Sequence, residues 1–306
     1  MIAFLFPGQG SQFSGMGQDL ADNFPAARLV FEEANDALGF DIAALCFAGS
    51  EDDLKLTANT QPAILTTSVA ALRVLEQEID LQPDYAAGHS LGEYSALVCA
   101  GALSLADAVR TVRQRGTFMQ EAVPVGVGAM AAIMGLERNE LEQICKDAAQ
   151  GEVVSPANFN SPGQIVIAGH ASAVNRAMVL CKENGAKRAL PLPVSAPFHS
   201  SLMEPAAKRL ADVLTGVAIS PMNCPVVGNV KAEPYQDPEA VKALLVDQVC
   251  APVRWDESVV KMADLGVERF VEIGPGKVLS GLVKRIAKGA TAQNIGAVAD
   301  LEKLSG

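Results

Sequence analysis

The chain alternates between short, unbroken apolar runs and longer stretches in which apolar residues recur with helical spacing. The apolar runs at 2–6 and 85–89 are each followed by a glycine-containing segment, which predicts buried strands that end in tight turns. Further strands are predicted at 226–228 and 270–273, and helices at 25–38, 61–79, 91–100 and 105–121. Strand–helix alternation of this kind is typical of an α/β fold with a mainly parallel sheet.

The segment 125–193 has a different order of elements. Its pattern predicts strand, helix, two strands, helix and strand, at 127–134, 137–149, 153–158, 164–168, 172–184 and 188–194. The turn signal Asn160-Ser161-Pro162-Gly163 joins the two middle strands. This order is typical of a ferredoxin-like unit. We therefore predict a discontinuous large domain at 1–124 and 194–306, with a small domain inserted at 125–193.

Composition narrows the class of protein. The 306 residues carry a formal net charge of −11, which argues against a general nucleic-acid binder because phosphate binding needs clustered positive charge. The six cysteines show no CxxC spacing and no nearby histidine, so neither a metal site nor a redox motif is expected. The N-terminal apolar run is too short for a signal peptide and no apolar stretch reaches about 20 residues, so we expect a cytoplasmic protein without a membrane span.

One segment carries a candidate nucleophile. Gly88-His89-Ser90-Leu91-Gly92 matches the pattern G-x-S-x-G, and it follows a predicted buried strand and precedes a predicted helix. Two glycines relieve crowding in a sharp turn there, so the serine hydroxyl projects at the helix start. The alternative is a serine in an ordinary strand–helix turn, but the context favours a nucleophile.

A serine nucleophile needs a base, and the chain has three histidines. The side chain of His89 should point away from the adjacent Ser90 and into packing. We expect His170 to be a solvated histidine in a turn after a small-domain strand. His199 lies in an irregular, proline-containing segment just after the predicted insert ends. By elimination, His199 is the candidate base.

Six segments along the chain form a more specific pattern. They are Phe6-Pro7-Gly8-Gln9-Gly10-Ser11-Gln12, Gly88-His89-Ser90-Leu91-Gly92-Glu93-Tyr94, Arg113-Gln114-Arg115-Gly116, Asn158-Phe159-Asn160, Pro197-Phe198-His199-Ser200 and Glu272-Ile273-Gly274-Pro275-Gly276. Together they resemble the malonyl-CoA:acyl carrier protein transacylase family. They occur in the family's order and span nearly the whole chain, which makes the match far more specific than any one motif. The resemblance implies an α/β-hydrolase-like large domain with a ferredoxin-like insert, in agreement with the predicted elements.

The resemblance also implies a role for each matching position. Ser90 would attack the thioester carbonyl, and His199 would take its proton. The backbone N–H groups of Gln9 and Leu91 would form the oxyanion hole. The backbone carbonyl of Gln248 would orient the base, which suits a sequence with no convincing third-member Asp or Glu. Asp247 is better interpreted as a solvated helix residue.

Two arginines compete for the carboxylate of the malonyl group. A planar guanidinium matches a carboxylate in a bidentate fork. Arg113 and Arg115 border the apolar stripe of the helix at 105–121 on opposite edges, so periodicity cannot choose between them. The resemblance selects Arg115.

Three more side chains complete the implied pocket. Asn158 and Gln61 resemble polar pocket residues; the alternative for Asn158 is a turn-forming residue. Phe198, beside the base, resembles the malonyl-selective form of its loop. Its ring should leave little room for a 2-methyl branch, so we expect malonyl to be preferred over methylmalonyl by a modest factor.

The implied reaction transfers malonyl from malonyl-CoA to the phosphopantetheine thiol of acyl carrier protein, for fatty-acid biosynthesis, through a Ser90 acyl-enzyme. The enzyme is expected to act as a monomer, without metal or bound cofactor. One alternative is a serine esterase, which predicts an Asp or Glu between Ser90 and His199 and no arginine for the acyl group. Another is a non-enzymatic scaffold, which predicts no covalent labelling.

Overall fold

The computed structural model describes residues 1–194, 196–301 and 303, and its strands form two sheets. The strands are β1 (Ile2–Phe6), β2 (Tyr85–Gly88), β3 (Gly128–Met134), β4 (Val154–Ser161), β5 (Gln164–His170), β6 (Arg188–Pro191), β7 (Val226–Val227), β8 (Pro234–Tyr235), β9 (Arg269–Ile273) and β10 (Thr291–Ile295). The larger sheet has the order β10-β9-β1-β2-β7-β8. Its strands pair in parallel except for β8 at one edge. The predicted α/β architecture with a mainly parallel sheet is confirmed.

Helices cover this sheet. They are α1 (Gln18–Asn23), α2 (Pro25–Leu38), α3 (Ile42–Ala48), α4 (Glu51–Lys55), α5 (Thr57–Glu78), α6 (Gly92–Cys99), α7 (Leu105–Glu121), α8 (Arg138–Ala149), α9 (Ala171–Glu183), α10 (Glu204–Thr215), α11 (Pro238–Cys250), α12 (Trp255–Asp264), α13 (Val278–Ile286) and α14 (Val298–Leu301), with a 3₁₀ turn at Ser201–Met203. Among the described residues, no helix combines the length and apolarity needed to cross a membrane.

The smaller sheet is antiparallel and has the order β4-β5-β3-β6. Its strands alternate with α8 and α9 in the chain order that the sequence predicts. The predicted turn is shorter than expected, because β4 continues to Ser161 and only Pro162-Gly163 remain outside the strands. A separate hydrophobic cluster, which includes Ile133, Leu141 and Ile167, fills the space between this sheet and its two helices.

Helix α5 begins earlier than the sequence predicts. The hydrophobic pattern predicts a helix over 61–79. Instead the helix starts at Thr57 and contains Pro62. Proline has no N–H, so it cannot donate to the carbonyl of Ala58 four residues earlier. Arg113 donates to that carbonyl from Nη1 at 2.8 Å, which satisfies the acceptor from a neighbouring helix.

The core of the larger sheet positions the functional segments. Strands β1 and β2 lie side by side, with Phe6 opposite Gly88, so the loops that follow them meet at one edge of the sheet. Helix α5 is buried along most of its length and packs on α7 with small and branched side chains. Aromatic residues make up only 5% of the sequence, so this core depends on alanine, valine and leucine.

Candidate active site

Ser90 occupies a sharp turn between β2 and α6. Its φ is 53°, a left-handed conformation that is uncommon for a residue with a side chain. A Cβ on Gly88 would lie 1.9 Å from the Gly92 carbonyl carbon, and one on Gly92 would lie 2.2 Å from Phe6 O. Both glycines are therefore required by close backbone approach. The turn projects the half-buried Ser90 side chain into a cleft.

The glycine-rich loop after β1 packs against this turn. A Cβ on Gly8 would lie 2.5 Å from the carbonyl oxygen of His89, so the two backbones touch there. The loop is held in shape by Ser11, whose hydroxyl donates to Gly8 O at 2.8 Å. Gln9 consequently lines the same cleft as Ser90 and Leu91. Leu91 is the N-cap residue of α6. The backbone N–H groups at the start of a helix have no acceptor within the helix.

The structure brings Ser90 and His199 together from positions 109 residues apart. Ser90 Oγ lies 2.8 Å from His199 Nε2. On the other side of the ring, Nδ1 lies 2.9 Å from Gln248 O and 3.1 Å from Ala251 O. Because carbonyl oxygens only accept hydrogen bonds, Nδ1 carries the proton and Nε2 is free to accept one from Ser90. His199 itself has a φ of 57°.

His199 is neutral at physiological pH. Burial and the nearby Arg115 charge together lower its pKa to about 3, although the bonds to Gln248 O and Ala251 O act in the opposite direction. A neutral imidazole with a free Nε2 lone pair is a base in its active form. The pair therefore has the geometry and the protonation state of a nucleophile with its base.

Arg115 lies beside the pair and is 1% exposed. Its Nη2 donates to Ser90 Oγ at 3.1 Å and to Gln248 Oε1 at 3.0 Å, and its Nη1 donates to Gln61 Oε1 at 2.8 Å. Its Nε is buried and has no partner among the described residues. Arg113 instead faces α5 and the ring of Phe40. Of the two candidates, only Arg115 reaches the cleft.

The cleft has a volume of about 120 Å³. Eight of the predicted site residues line it: Gln9, Gln61, Ser90, Leu91, Arg115, Asn158, Phe198 and His199. Gln248 lies behind them and is fully buried. Asn158 belongs to β4, at a shift in its pairing with β5, so the alternative of a turn-forming residue is wrong. Apart from His89, the other lining residues are apolar and include Met130, Leu192 and Val194.

The other two histidines have different partners. The ring of His89 turns away from the Ser90 hydroxyl, with Nε2 2.9 Å from Asn160 Oδ1 and the ring 5.7 Å from that of Trp255. His170 is the last residue of β5 and not a solvated turn residue as predicted. Its Nδ1 accepts a hydrogen bond from Val153 N at 2.9 Å, which closes the strand end.

Two buried polar residues that the sequence did not single out support the turn. Asn229 accepts from Ser90 N at 2.7 Å and donates to Gly88 O at 2.7 Å. Glu93 accepts hydrogen bonds from Asn229 N, Gln248 Nε2 and Tyr235 Oη. Burial raises the pKa of Glu93, against the effects of these bonds and of Arg115. The sequence feature that could have indicated this network is the glutamate one helical turn after Ser90.

The described residues include no group of three His, Cys, Asp or Glu side chains arranged to hold a metal ion. All six cysteines are unpaired. Burial raises the pKa of the Cys46 thiol to about 12 and that of Cys250 to about 11, so these thiols are protonated and weakly reactive.

Comparisons with known proteins cover nearly the whole chain. The family model described as acyl transferase domain matches residues 3–302. The malonyl CoA-acyl carrier protein transacylase of Escherichia coli strain K12 is 54% identical over 291 residues, which cover 95% of this chain and 94% of the relative. The protein of the same name from Bacillus subtilis is 54% identical over 286 residues, covering 93% and 90%.

Solved structures agree with these relatives. An acyl carrier protein S-malonyltransferase from Vibrio cholerae superposes with a TM-score of 0.97 at 52% identity, over 99% of both chains. A malonyl-transacylase solved in complex with a type II PKS acyl-carrier protein gives a TM-score of 0.96 at 51% identity, over 99% of this chain and 98% of that one.

Proposed function

The chain belongs to the acyl transferase domain family, as a malonyl CoA-acyl carrier protein transacylase, and we propose that Ser90 carries the malonyl group during its reaction. The enzyme is an acyltransferase that moves malonyl from malonyl-CoA to acyl carrier protein. The observation that carries the proposal is the 2.8 Å contact between Ser90 Oγ and the unprotonated Nε2 of His199.

In the first half-reaction, Ser90 Oγ attacks the thioester carbonyl carbon while its proton passes to His199 Nε2. The new C–O bond forms, and the C–S bond then breaks as the coenzyme A sulfur leaves and takes the proton from His199. The N–H groups of Gln9 and Leu91 stabilise the oxyanion. The N–H of Ser90 is already bonded to Asn229, so it is not available for that role. One such donor contributes about 2.7–4 kcal/mol in the transition state.

In the second half-reaction, the phosphopantetheine thiol of the carrier attacks the acyl-enzyme. His199 takes the thiol proton, the new C–S bond forms, and the serine oxygen leaves and is reprotonated by His199. The same base acts in both directions because Gln248 O and Ala251 O hold its Nδ1–H throughout. The reaction requires no metal or bound cofactor.

Arg115 binds the free carboxylate of the malonyl group. Its buried Nε has no partner among the described residues, and the oxygens to which Nη1 and Nη2 donate are uncharged, so the guanidinium charge is left to attract a carboxylate. Gln61 and Asn158 are further polar contacts of the pocket. The ring of Phe198 restricts space beside His199 and favours malonyl over a 2-methyl analogue.

Several wider assignments belong to the same proposal. The strand orders support an α/β-hydrolase-like domain at 1–124 and 194–306 and a ferredoxin-like domain at 125–193. Residues 195, 302 and 304–306 of these ranges lie outside the described part of the chain. The protein acts as a cytoplasmic monomer in fatty-acid biosynthesis and does not bind nucleic acid, and its unpaired cysteines fit a reducing compartment.

A serine esterase is the competing function, and one feature disfavours it. An esterase orients its histidine with an Asp or Glu side chain. At His199 that place is taken by two backbone carbonyls, and Asp247 is exposed.

A chase experiment tests the proposed function. The enzyme is mixed with malonyl-CoA, freed of coenzyme A by gel filtration, and then mixed with acyl carrier protein that bears phosphopantetheine. We expect the malonyl group to move to the carrier, and carrier without phosphopantetheine to receive none. Faster hydrolysis of p-nitrophenyl esters than malonyl transfer, with no labelled carrier, would contradict the proposal.

A further inference from the structure

A buried network behind the cleft converges on Glu93. The residue is 1% exposed, and the hydrogen bonds of its carboxylate go to neither Ser90 Oγ nor His199. It accepts from Gln248 Nε2 at 2.7 Å, Asn229 N at 3.1 Å and Tyr235 Oη at 2.9 Å. These three donors come from separate segments, so one side chain of α6 joins α11, β8 and the loop after β7.

Gln248 connects this carboxylate to three parts of the site. Its Nε2 donates to Ser90 O at 3.0 Å, its Oε1 accepts from Arg115 Nη2 at 3.0 Å, and its backbone oxygen accepts from His199 Nδ1. A side-chain amide presents a donor at one end and an acceptor at the other. The direction in which this amide points therefore decides whether Arg115 meets an acceptor or a donor.

The Glu93 oxygen that faces Gln248 is an acceptor, because the same Oε2 accepts from the backbone N–H of Asn229, which can only donate. With Glu93 on one side, the Gln248 amide must turn its NH₂ toward Glu93 and its oxygen toward Arg115. We propose that Glu93 is a positioning residue for substrate selection, which fixes the Gln248 amide and thereby holds Arg115 ready for the malonyl carboxylate. This inference rests on the proposed role of Arg115.

Two substitutions of Glu93 differ in whether they keep a hydrogen-bond acceptor for Gln248: glutamine keeps one and methionine does not. In Glu93→Gln, the amide oxygen can accept from both Asn229 N and Gln248 Nε2, because both bonds end on Oε2 in the native chain. Its NH₂ then faces the Tyr235 hydroxyl, which accepts as well as donates. In Glu93→Met one of the two acceptors of Gln248 Nε2 is lost and only Ser90 O remains, so the amide is held less firmly with its oxygen toward Arg115.

The experiment compares malonyl and acetyl transfer in purified full-length variants, with Tm as a check on folding. We expect Glu93→Met to lower the malonyl-over-acetyl ratio of kcat/KM about tenfold, and Glu93→Gln to restore most of it. Combined with Arg115→Ala, Glu93→Met should lower the ratio little further, because both changes act on one contact. Should Glu93→Met not fold, Gln248→Met is expected to give the same loss.

Glu272 provides a matched control. It is a fully buried glutamate that accepts from Leu279 N and Ser280 N at the start of α13. Glu272→Met should lower Tm and leave the ratio unchanged. Suppose that the malonyl-over-acetyl ratio falls in Arg115→Ala but is unchanged in Glu93→Met or Gln248→Met. That result would overturn the positioning role of Glu93 and leave the proposed role of Arg115 intact. An unchanged ratio in Arg115→Ala would instead overturn the proposed role of the arginine.

Discussion

Replacement of His199 by alanine should slow acylation of Ser90 by malonyl-CoA about 10⁴-fold. The hydroxyl would lose the only imidazole within hydrogen-bond distance among the described residues, and a serine hydroxyl is a poor nucleophile without a base. The measurement is a single-turnover rate of acyl-enzyme formation. Since His199 has a positive φ, His199→Asn serves as a second variant, because asparagine tolerates that conformation.

His170→Ala is the matched control, because this histidine bonds only the end of β5 to Val153. It should acylate at the wild-type rate. The wild-type pH profile is a further readout. With its pKa lowered to about 3, His199 stays neutral as pH falls, so acylation should remain level between pH 7.5 and 5.5. A histidine at its ordinary pKa would lose about tenfold over that interval. A tenth or more of the wild-type rate in His199→Ala would contradict the assignment.

Replacement of Arg115 by alanine should lower kcat/KM for malonyl-CoA by about 10- to 150-fold and change that for acetyl-CoA far less. A hydrogen bond to a charged partner contributes about 1.5–3 kcal/mol, and acetyl has no carboxylate with which to form one. The measurement is the ratio of kcat/KM for the two thioesters. A ratio equal to that of the wild type would show that Arg115 does not bind the carboxylate.

Arg113→Ala is the control that shows whether removal of any arginine from this helix has the same effect as removal of the carboxylate-binding Arg115. Arg113 lies two residues away on the same helix, and it bonds the carbonyl of Ala58 that Pro62 leaves without a donor. Its removal should lower the free energy of unfolding, by about 1–3 kcal/mol for the unpaired acceptor, and leave the malonyl-over-acetyl ratio unchanged.

The turn that holds Ser90 could be predicted from residues close to it in the sequence. The glycine spacing, the apolar run before it and the helical pattern after it each follow from contacts within a few residues. The structure has the same sequence of elements, because the constraint on Gly88 and Gly92 is backbone crowding near the turn. The order of elements in the smaller sheet was predictable for the same reason, since each strand and helix carries its own periodicity.

The choice between Arg113 and Arg115 was not predictable from periodicity. Both border the apolar stripe of α7, and what separates them is an acceptor on Ala58, about 55 residues away in sequence. Glu93 and Asn229 escaped notice for a related reason, because their bond spans 136 residues. A buried polar network depends on which segments, distant in sequence, are in contact in the fold. The hydrophobic pattern of a segment does not indicate those contacts.

Intact-mass analysis after mixing with malonyl-CoA tests most directly whether the Ser90 hydroxyl, with His199 as its base, carries the malonyl group. Ser95→Ala is the control, because Ser95 lies on α6, the helix that follows the Ser90 turn, and its buried hydroxyl has no partner among the described residues. We expect one malonyl adduct on the wild type and on Ser95→Ala, and none on Ser90→Ala. An adduct of the same mass on Ser90→Ala, or no adduct on the wild type, would contradict the account.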